Sequence, residues 1–350
     1  MRRTCLGFAL LLTLAPALLP GPPLLAFQAG PQARSKAEYD AYVALYNEAA
    51  PGAKAALGEA FLRDYPESEF APLAFMNLIS AYEMERDWAA VLAAANRFQT
   101  TVVEPDETAR NFVYPRALMA AQMQNDIAGI IAFGDLLLEV SPNNLGAMLT
   151  LGSVYTENLP TTEPARGRAL ARAYDLANRA RVQAQQFFAG DGSRTAERTQ
   201  VEVTIHTTLA RVHYARSDYQ RAADEFQQVA GMDPTDAEAY YRLGDCYQFL
   251  AAAASRDVQT AVAARTQAEA QGTDQATIDQ MQARFEVLQG NVLAYLDRSI
   301  DAFASATAIG GPIASDARLR LEPLYRSRHE DSLEGLEGLL EEKRAALRNR

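Results

Sequence analysis

The chain has 350 residues, of which 49% are hydrophobic and 22% are charged, so it can bury a core and is not disordered by composition. Its 33 Lys and Arg residues are outnumbered by 44 Asp and Glu residues, which argues against a general nucleic-acid binder, because neutralising phosphates requires a surplus of positive charge. Three His and two Cys residues are too few for a multi-ligand zinc cluster or a disulfide scaffold.

The first 29 residues predict a secretory signal peptide. Arg2 and Arg3 precede an apolar run from Leu6 to Leu19, and prolines then interrupt that run. A membrane-spanning helix needs about 20 apolar residues with few breaks, so a retained N-terminal anchor is the lesser alternative. We expect cleavage after a small residue between positions 26 and 33 and export to a periplasm or to the medium. The mature chain would keep one cysteine, Cys246, and would therefore have no internal disulfide.

Apolar residues recur at helical spacing along the rest of the chain, and no segment shows the two-residue alternation of a β-strand, so we predict an all-α protein. In the N-terminal part, residues 36–190, pairs of apolar helices are joined by short polar turns. The turns and helix starts that mark these pairs are Tyr65-Pro66-Glu67-Ser68, Asp87-Trp88, Asn125-Asp126-Ile127 and Asn143-Asn144.

A longer helix is predicted next. We expect this helix to begin only after the segment Asn158–Gly167, and so to run from Arg168 to about Phe188. On this helix Arg168, Arg172 and Arg179 share one face,. The first interpretation is a solvated face neutralised by acidic neighbours. The second is a secondary binding face for an anionic envelope component or an acidic partner.

A clear repeat follows over residues 203–248. Leu209-Ala210 and Leu243-Gly244 lie 34 residues apart, and Asp233-Pro234 lies between them. The small residues of this register allow two helices to approach closely, and a proline cannot continue a helix. The 34-residue pattern resembles the tetratricopeptide (TPR) repeat. That resemblance implies a right-handed α-solenoid of about six TPR-like helix pairs over roughly residues 36–310. The Tyr65–Ser68 link is similar to that of bacterial envelope TPR proteins, which implies an exported bacterial protein.

After Tyr247 the helical pattern continues without a turn, through the alanine-rich segment Ala251–Glu269, until Gly272-Thr273. The next helix carries apolar residues at alternating intervals of 3 and 4, the spacing of a seam between two packed helices. These residues are Ile278, Met281, Phe285, Leu288 and Val292. We predict a protruding helical hairpin inserted at about residues 250–290 of the C-terminal repeats, residues 196–310. It is either a helical elaboration that only enlarges the repeat array or an arm for contact or dimerisation.

The last segment, residues 315–350, predicts capping helices. A row of leucines lies opposite a charged face, and Asp331 or Ser332 is the expected N-cap of the final helix,. The row consists of Leu333, Leu336, Leu339, Leu340 and Leu347. A solenoid needs such a helix, with a polar outer face, to cover its last exposed core.

No catalytic motif stands out. His206 and His213 are seven residues apart, about 10.5 Å along a helix, whereas helical metal pairs use a spacing of three or four residues. His329-Glu330-Asp331 lies at the expected start of the final helix, and Cys246 fits a packing position,. We therefore predict a protein that is not an enzyme and that has no cofactor and no metal site.

The TPR resemblance implies a concave groove lined by the first helix of each pair. In the two clearest units the groove positions are Thr204, Thr207, Arg211, Tyr214 and Ala215, followed by Glu238, Tyr241, Asp245, Gln248 and Phe249. The preceding unit would add residues that include Thr156 and Glu157. This set is mixed apolar and acidic and lacks the Lys and Asn pattern of the TPR carboxylate clamp. It therefore favours a partner of apolar and basic character.

Three functions remain. The first is an exported, non-enzymatic TPR scaffold that binds a protein or peptide partner in the groove. The second is a structural or polymer-associated envelope factor that uses the basic face at Arg168, Arg172 and Arg179. The last is a helical hydrolase, which would need a carboxylate with a raised pKa in a cleft. The identity of the partner and the oligomeric state stay open.

Overall fold

The computed structural model of the protein describes residues 30–190 and 192–348. The predicted signal peptide, residues 1–29, lies outside them. Within the described residues the chain forms fourteen α-helices and no β-strand, and none of these helices is long and apolar enough to span a membrane. The helices are α1 (Lys36–Asn47), α2 (Pro51–Asp64), α3 (Ala71–Met84), α4 (Trp88–Thr101), α5 (Glu107–Met123), α6 (Ile127–Val140), α7 (Leu145–Glu157), α8 (Glu163–Phe187), α9 (Thr195–Ala215), α10 (Tyr219–Met232), α11 (Ala237–Ala270), α12 (Gln275–Ile309), α13 (Ala314–Arg328) and α14 (Leu336–Arg348).

Each helix packs against the next one along the chain from α1 to α13, and α14 packs back onto α12. First helices of successive pairs also touch at three places: α1 contacts α3, α3 contacts α5, and α7 contacts α9. One continuous apolar core runs from Leu45 on α1 to Leu209 on α9, and further cores follow it toward the C-terminus. The protein is therefore an all-α solenoid of TPR-like helix pairs, as predicted.

The turns inside three of the pairs have the same construction. One residue adopts a left-handed conformation, with φ between 52° and 59°, and the aspartate after it caps the second helix by accepting a hydrogen bond from a backbone N–H three residues on,. The aspartate thereby satisfies one of the backbone donors that a helix start leaves unpaired. The three turns are Arg86-Asp87, Asn125-Asp126 and Ser217-Asp218.

Close approach of α11 and α12, the two helices of the last pair, depends on glycine at position 244. A Cβ atom placed there would lie 2.8 Å from ring carbons of Phe303 on α12, and that ring is fully buried. The hydroxyl of Ser299 also donates to the Gly244 carbonyl oxygen at 2.9 Å. The ring therefore has little room to move away from an added methyl group.

We expect Gly244→Ala to lower the free energy of unfolding of the C-terminal repeats by about 1–2 kcal/mol, because overpacking outweighs the gain in helix propensity. Gly290→Ala on α12 is the matched control, since nothing lies within 4 Å of its added Cβ, and it should raise stability by about 0.5–1 kcal/mol. Thermal unfolding followed by circular dichroism measures both. Stabilisation by both variants would contradict the close approach.

The predicted hairpin is present. α11 and α12 are 34 and 35 residues long, and their distal parts, at about residues 250–290, form the arm. The predicted break lies in the turn between them, where Gly272 has φ 70°. The seam residues predicted from Ile278 to Val292 are all half-buried in the arm. A segment of about 20 residues in each helix gives the arm a length of about 30 Å.

Two predicted helix boundaries were wrong. α8 begins at Glu163 rather than at Arg168, because Pro164 occupies its first turn, where a missing backbone N–H costs nothing. α14 begins at Leu336, after Gly335 with φ 89°, and not at the expected Asp331 or Ser332 cap. The predicted capping function itself is confirmed, since Leu336 and Leu340 are buried in one core with Phe303 on α12.

Candidate functional site

A cavity of about 490 Å³ opens between the first helices of three successive pairs, α7, α9 and α11. Polar and charged side chains provide most of its wall, and aromatic rings and two aliphatic side chains provide the remainder. The lining residues are Thr156, Glu157, Leu159, Arg166, Arg211, Tyr214, Ala215, Ser217, Tyr219, Phe226, Glu238 and Arg242. Six of the predicted groove residues therefore meet at one place, and these are Thr156, Glu157, Arg211, Tyr214, Ala215 and Glu238.

Arg211 on α9 connects the three helices. Its Nη1 lies 2.6 Å from Oε1 of Glu157 at the end of α7, and its Nη2 lies 3.5 Å from Oε2 of Glu238 on α11. The first contact is a good charge-assisted hydrogen bond, and the second is at the limit of one. The Arg211 side chain thus connects two carboxylates across the groove, one from the unit before its own and one from the unit after it.

An aromatic cluster forms one edge of the groove. The rings of Tyr219 and Phe249 are stacked with centroids 4.3 Å apart, and Tyr214 meets both rings at an angle. Phe249 is 43% exposed although it is a large apolar residue. A ring that is held by its neighbours and still faces solvent loses little entropy when a ligand packs on it.

Below this surface lies a buried polar network. Asp245 is only 4% exposed, and the Tyr214 hydroxyl lies 3.4 Å from its Oδ2. Burial raises the pKa of the Asp245 carboxyl above its usual range, although Arg320 and Arg242 oppose that shift. Tyr241 packs edge-on against Phe303 with centroids 5.5 Å apart. Asp245 and Tyr241 therefore support the groove from beneath and are absent from the wall of the cavity.

The remaining predicted groove residues do not line the cavity. Thr204 donates to the Gln200 carbonyl oxygen at 2.9 Å within its own helix, and Thr207 and Gln248 are half-buried. The sequence prediction missed Arg242 as a groove residue, although it lies one helical turn after Glu238. It also missed Arg320 on α13, which lies near enough to Tyr241 and Asp245 for both to raise the pKa of its guanidinium. No local signal could have found Arg320, because its place depends on how the capping helices dock.

The predicted basic face is largely paired within the protein. Arg172 Nη2 lies 2.8 Å from Asp135 Oδ1 on α6. Arg179 donates to the Pro142 carbonyl oxygen at 2.7 Å and lies 3.5 Å from Asp175. Arg168 is exposed. The geometry therefore favours the first interpretation of this face, a solvated surface whose charges are compensated by acidic neighbours.

The two histidines of α9 have different acidic partners. His206 Nδ1 lies 2.5 Å from Glu225 Oε2 on α10, and His213 Nδ1 lies 3.5 Å from Asp218 Oδ2. Burial lowers the pKa of His213. Cys246 is buried, which raises the pKa of its thiol to about 12. Among residues 30–190 and 192–348, no group of three or more His, Cys, Asp or Glu side chains is placed to hold a metal ion.

Comparisons with known proteins give little further information. No protein-family model matches the sequence, and no curated protein matches it. Among solved structures, the crystal structure of a tetratricopeptide repeat protein from Parabacteroides merdae is similar to this chain at a TM-score of 0.36 and 12% sequence identity. The alignment covers 83% of this chain and 100% of the other. The description of the solenoid therefore rests on the helix pairing and the turns of this chain itself.

Proposed function

We propose that this protein is an exported, non-enzymatic scaffold that binds a peptide or protein partner in the groove between α7, α9 and α11. The observation that carries the proposal is the cavity of about 490 Å³ at the meeting point of three successive helix pairs. Charged side chains and an exposed aromatic stack surround it, and such sets of residues are typical of binding hot spots.

The export part of the proposal rests on the sequence of residues 1–29, where a short charged start precedes an interrupted apolar run,. The one cysteine among the described residues, Cys246, is buried and free, so no disulfide contributes to this part of the chain.

The test compares partner capture by matched variants. Purified mature protein would be incubated with an envelope extract, and bound proteins would be identified by mass spectrometry and then titrated as purified partners. We expect Arg211→Ala/Phe249→Ala to lose a specific partner, since both side chains can be removed without opening the core. The control is Tyr46→Ala/Arg284→Ala, which removes an exposed ring and an exposed arginine elsewhere. The same partners bound by both double variants would contradict the proposal.

The alternatives have less support. The envelope factor that uses the basic face would need free arginines, whereas Arg172 and Arg179 already contact Asp135 and Asp175. The hydrolase needs a carboxylate with a raised pKa in a cleft, and Asp245 meets the first condition. Its carboxyl group, however, is buried beneath Tyr214 and does not line the cavity. The groove-binding scaffold is therefore the function that the geometry supports best.

A further inference from the structure

Arginines from three helices line the cavity, and two of them have no carboxylate at hydrogen-bonding distance within the described residues. The three are Arg166 on α8, Arg211 on α9 and Arg242 on α11. Arg211 is the exception, because its contact with Glu157 is 2.6 Å long. Arg166 donates to the Ala215 carbonyl oxygen at 3.4 Å and forms no ion pair with a described carboxylate.

Arg242 lies over two aromatic rings and forms only long ion pairs. Its guanidinium carbon lies 5.5 Å from the ring centroid of Tyr214 and 5.7 Å from that of Tyr241. The nearest carboxylate oxygens, on Glu238 and Asp245, are 3.7 Å and 3.9 Å away, which is beyond a good hydrogen bond. A guanidinium has five N–H donors, so Arg242 retains donors for an external acceptor.

The charges around the groove do not balance at neutral pH. The three arginines that line the cavity stay protonated under all ordinary conditions, whereas only two carboxylates, those of Glu157 and Glu238, line it. Burial raises the pKa of the Asp245 carboxyl, which lies beneath the cavity and is not part of its wall. On a chain with a net charge of −11, the side chains that line this cavity therefore carry one more positive charge than negative charges. The sequence analysis did not place Arg166 and Arg242 here, and it therefore predicted a groove of the opposite charge.

We propose that the partner segment bound in this groove is an acidic peptide. Asp or Glu side-chain carboxylates of the peptide bind Arg166 and Arg242, and a neighbouring apolar or aromatic residue packs on the Tyr219–Phe249 stack. Arginine suits this role because its planar fork matches the two oxygens of a carboxylate. The inference rests on the proposed function of the groove and adds the chemical class of the partner to it.

The probes are three labelled peptides of about ten residues, about 33 Å when extended. They are acetylated and amidated, and they differ only in whether their charged positions hold Glu, Gln or Lys. Fluorescence anisotropy measures their binding to the full mature protein. We expect the Glu peptide to bind about tenfold tighter than the Gln peptide or better, and the Lys peptide to bind weakest. Rising salt should weaken the Glu peptide most.

Variants of the two arginines identify the contact. Arg166→Gln and Arg242→Gln should each weaken the Glu peptide about tenfold and change the Gln peptide much less. Arg284→Gln on the arm, which removes an exposed arginine away from the groove, should change neither. Circular dichroism confirms that each variant remains folded.

Three results would overturn the acidic assignment. The first is that the three peptides bind equally well or do not bind at all. The second is that the Lys peptide binds tightest. The third is that a fourth probe, a Gln peptide with a free C-terminal carboxylate, binds as tightly as the Glu peptide. The proposed function is decided separately. If the partner from the extract is still lost by Arg211→Ala/Phe249→Ala, the groove remains the binding site and only the chemical class of the partner is wrong.

Discussion

Phe303→Ala is expected to lower the local free energy of unfolding by about 3–5 kcal/mol, the cost of removing a fully buried aromatic ring and leaving a cavity. Phe303 is 0% exposed. Its ring touches Gly244 and Tyr241 on α11 and belongs to the same core as the capping leucines. The last repeat, the base of the arm and the cap therefore all depend on this one side chain.

Hydrogen exchange is the appropriate measurement, because repeat arrays often unfold in parts rather than in one transition. Amides at the start of α11, the end of α12 and in α13 and α14 should lose protection in Phe303→Ala. The matched control is Phe285→Ala, which removes the same ring from the half-buried seam of the arm and should cost about 1 kcal/mol. If both variants lost amide protection to the same extent, Phe303 would not connect the last repeat, the base of the arm and the cap.

Leu340→Ala is expected to lower the stability of the C-terminal cap by about 2–5 kcal/mol. Leu340 is 0% exposed and packs with Leu336 in the core that also includes Leu321, Tyr325 and Phe303. Loosening α14 exposes the apolar end of the solenoid, so we expect increased binding of a hydrophobic dye and faster proteolysis after α12. The N-terminal helices should keep their protection, because each pair contacts only its neighbours.

The control for the cap is Leu319→Ala on α13. Leu319 is 71% exposed, and its removal should change stability by less than about 0.5 kcal/mol. If Leu340→Ala left dye binding and proteolysis unchanged, α14 would not be sealing the core. If it instead destabilised α1 to α6 as much as α13 and α14, the solenoid would be a single cooperative unit.

Most of the architecture could be predicted because its signals are local. The 34-residue spacing of Leu209-Ala210 and Leu243-Gly244 identified the repeat, and a glycine that touches a buried ring explains why that position is small. The arm could be predicted since its seam follows a simple interval along one helix. The start of α14 could not be predicted, because several polar residues before Leu336 are equally suited to cap a helix.

The groove was harder to predict than the fold. Arg211, Tyr214 and Glu238 could be found because they occupy regular positions on the first helix of a pair. Arg166 could not be placed in the groove, since it follows an irregular segment after α7. Arg320 could not be placed beside Asp245, since it lies on the cap. The sign of the groove's charge depends on these long-range contacts, and for that reason the sequence pointed to a basic partner.

The contact of Arg211 with Glu157 and Glu238 also has a mechanical consequence. The curvature of a solenoid is the sum of small rotations between neighbouring units, and this side chain connects three successive units at the groove. Bending that widens the groove must stretch its two ion pairs, and bending that narrows the groove must compress them. The width of the binding site is therefore coupled to the curvature at these three units, and a ligand that competes for Arg211 would change both together.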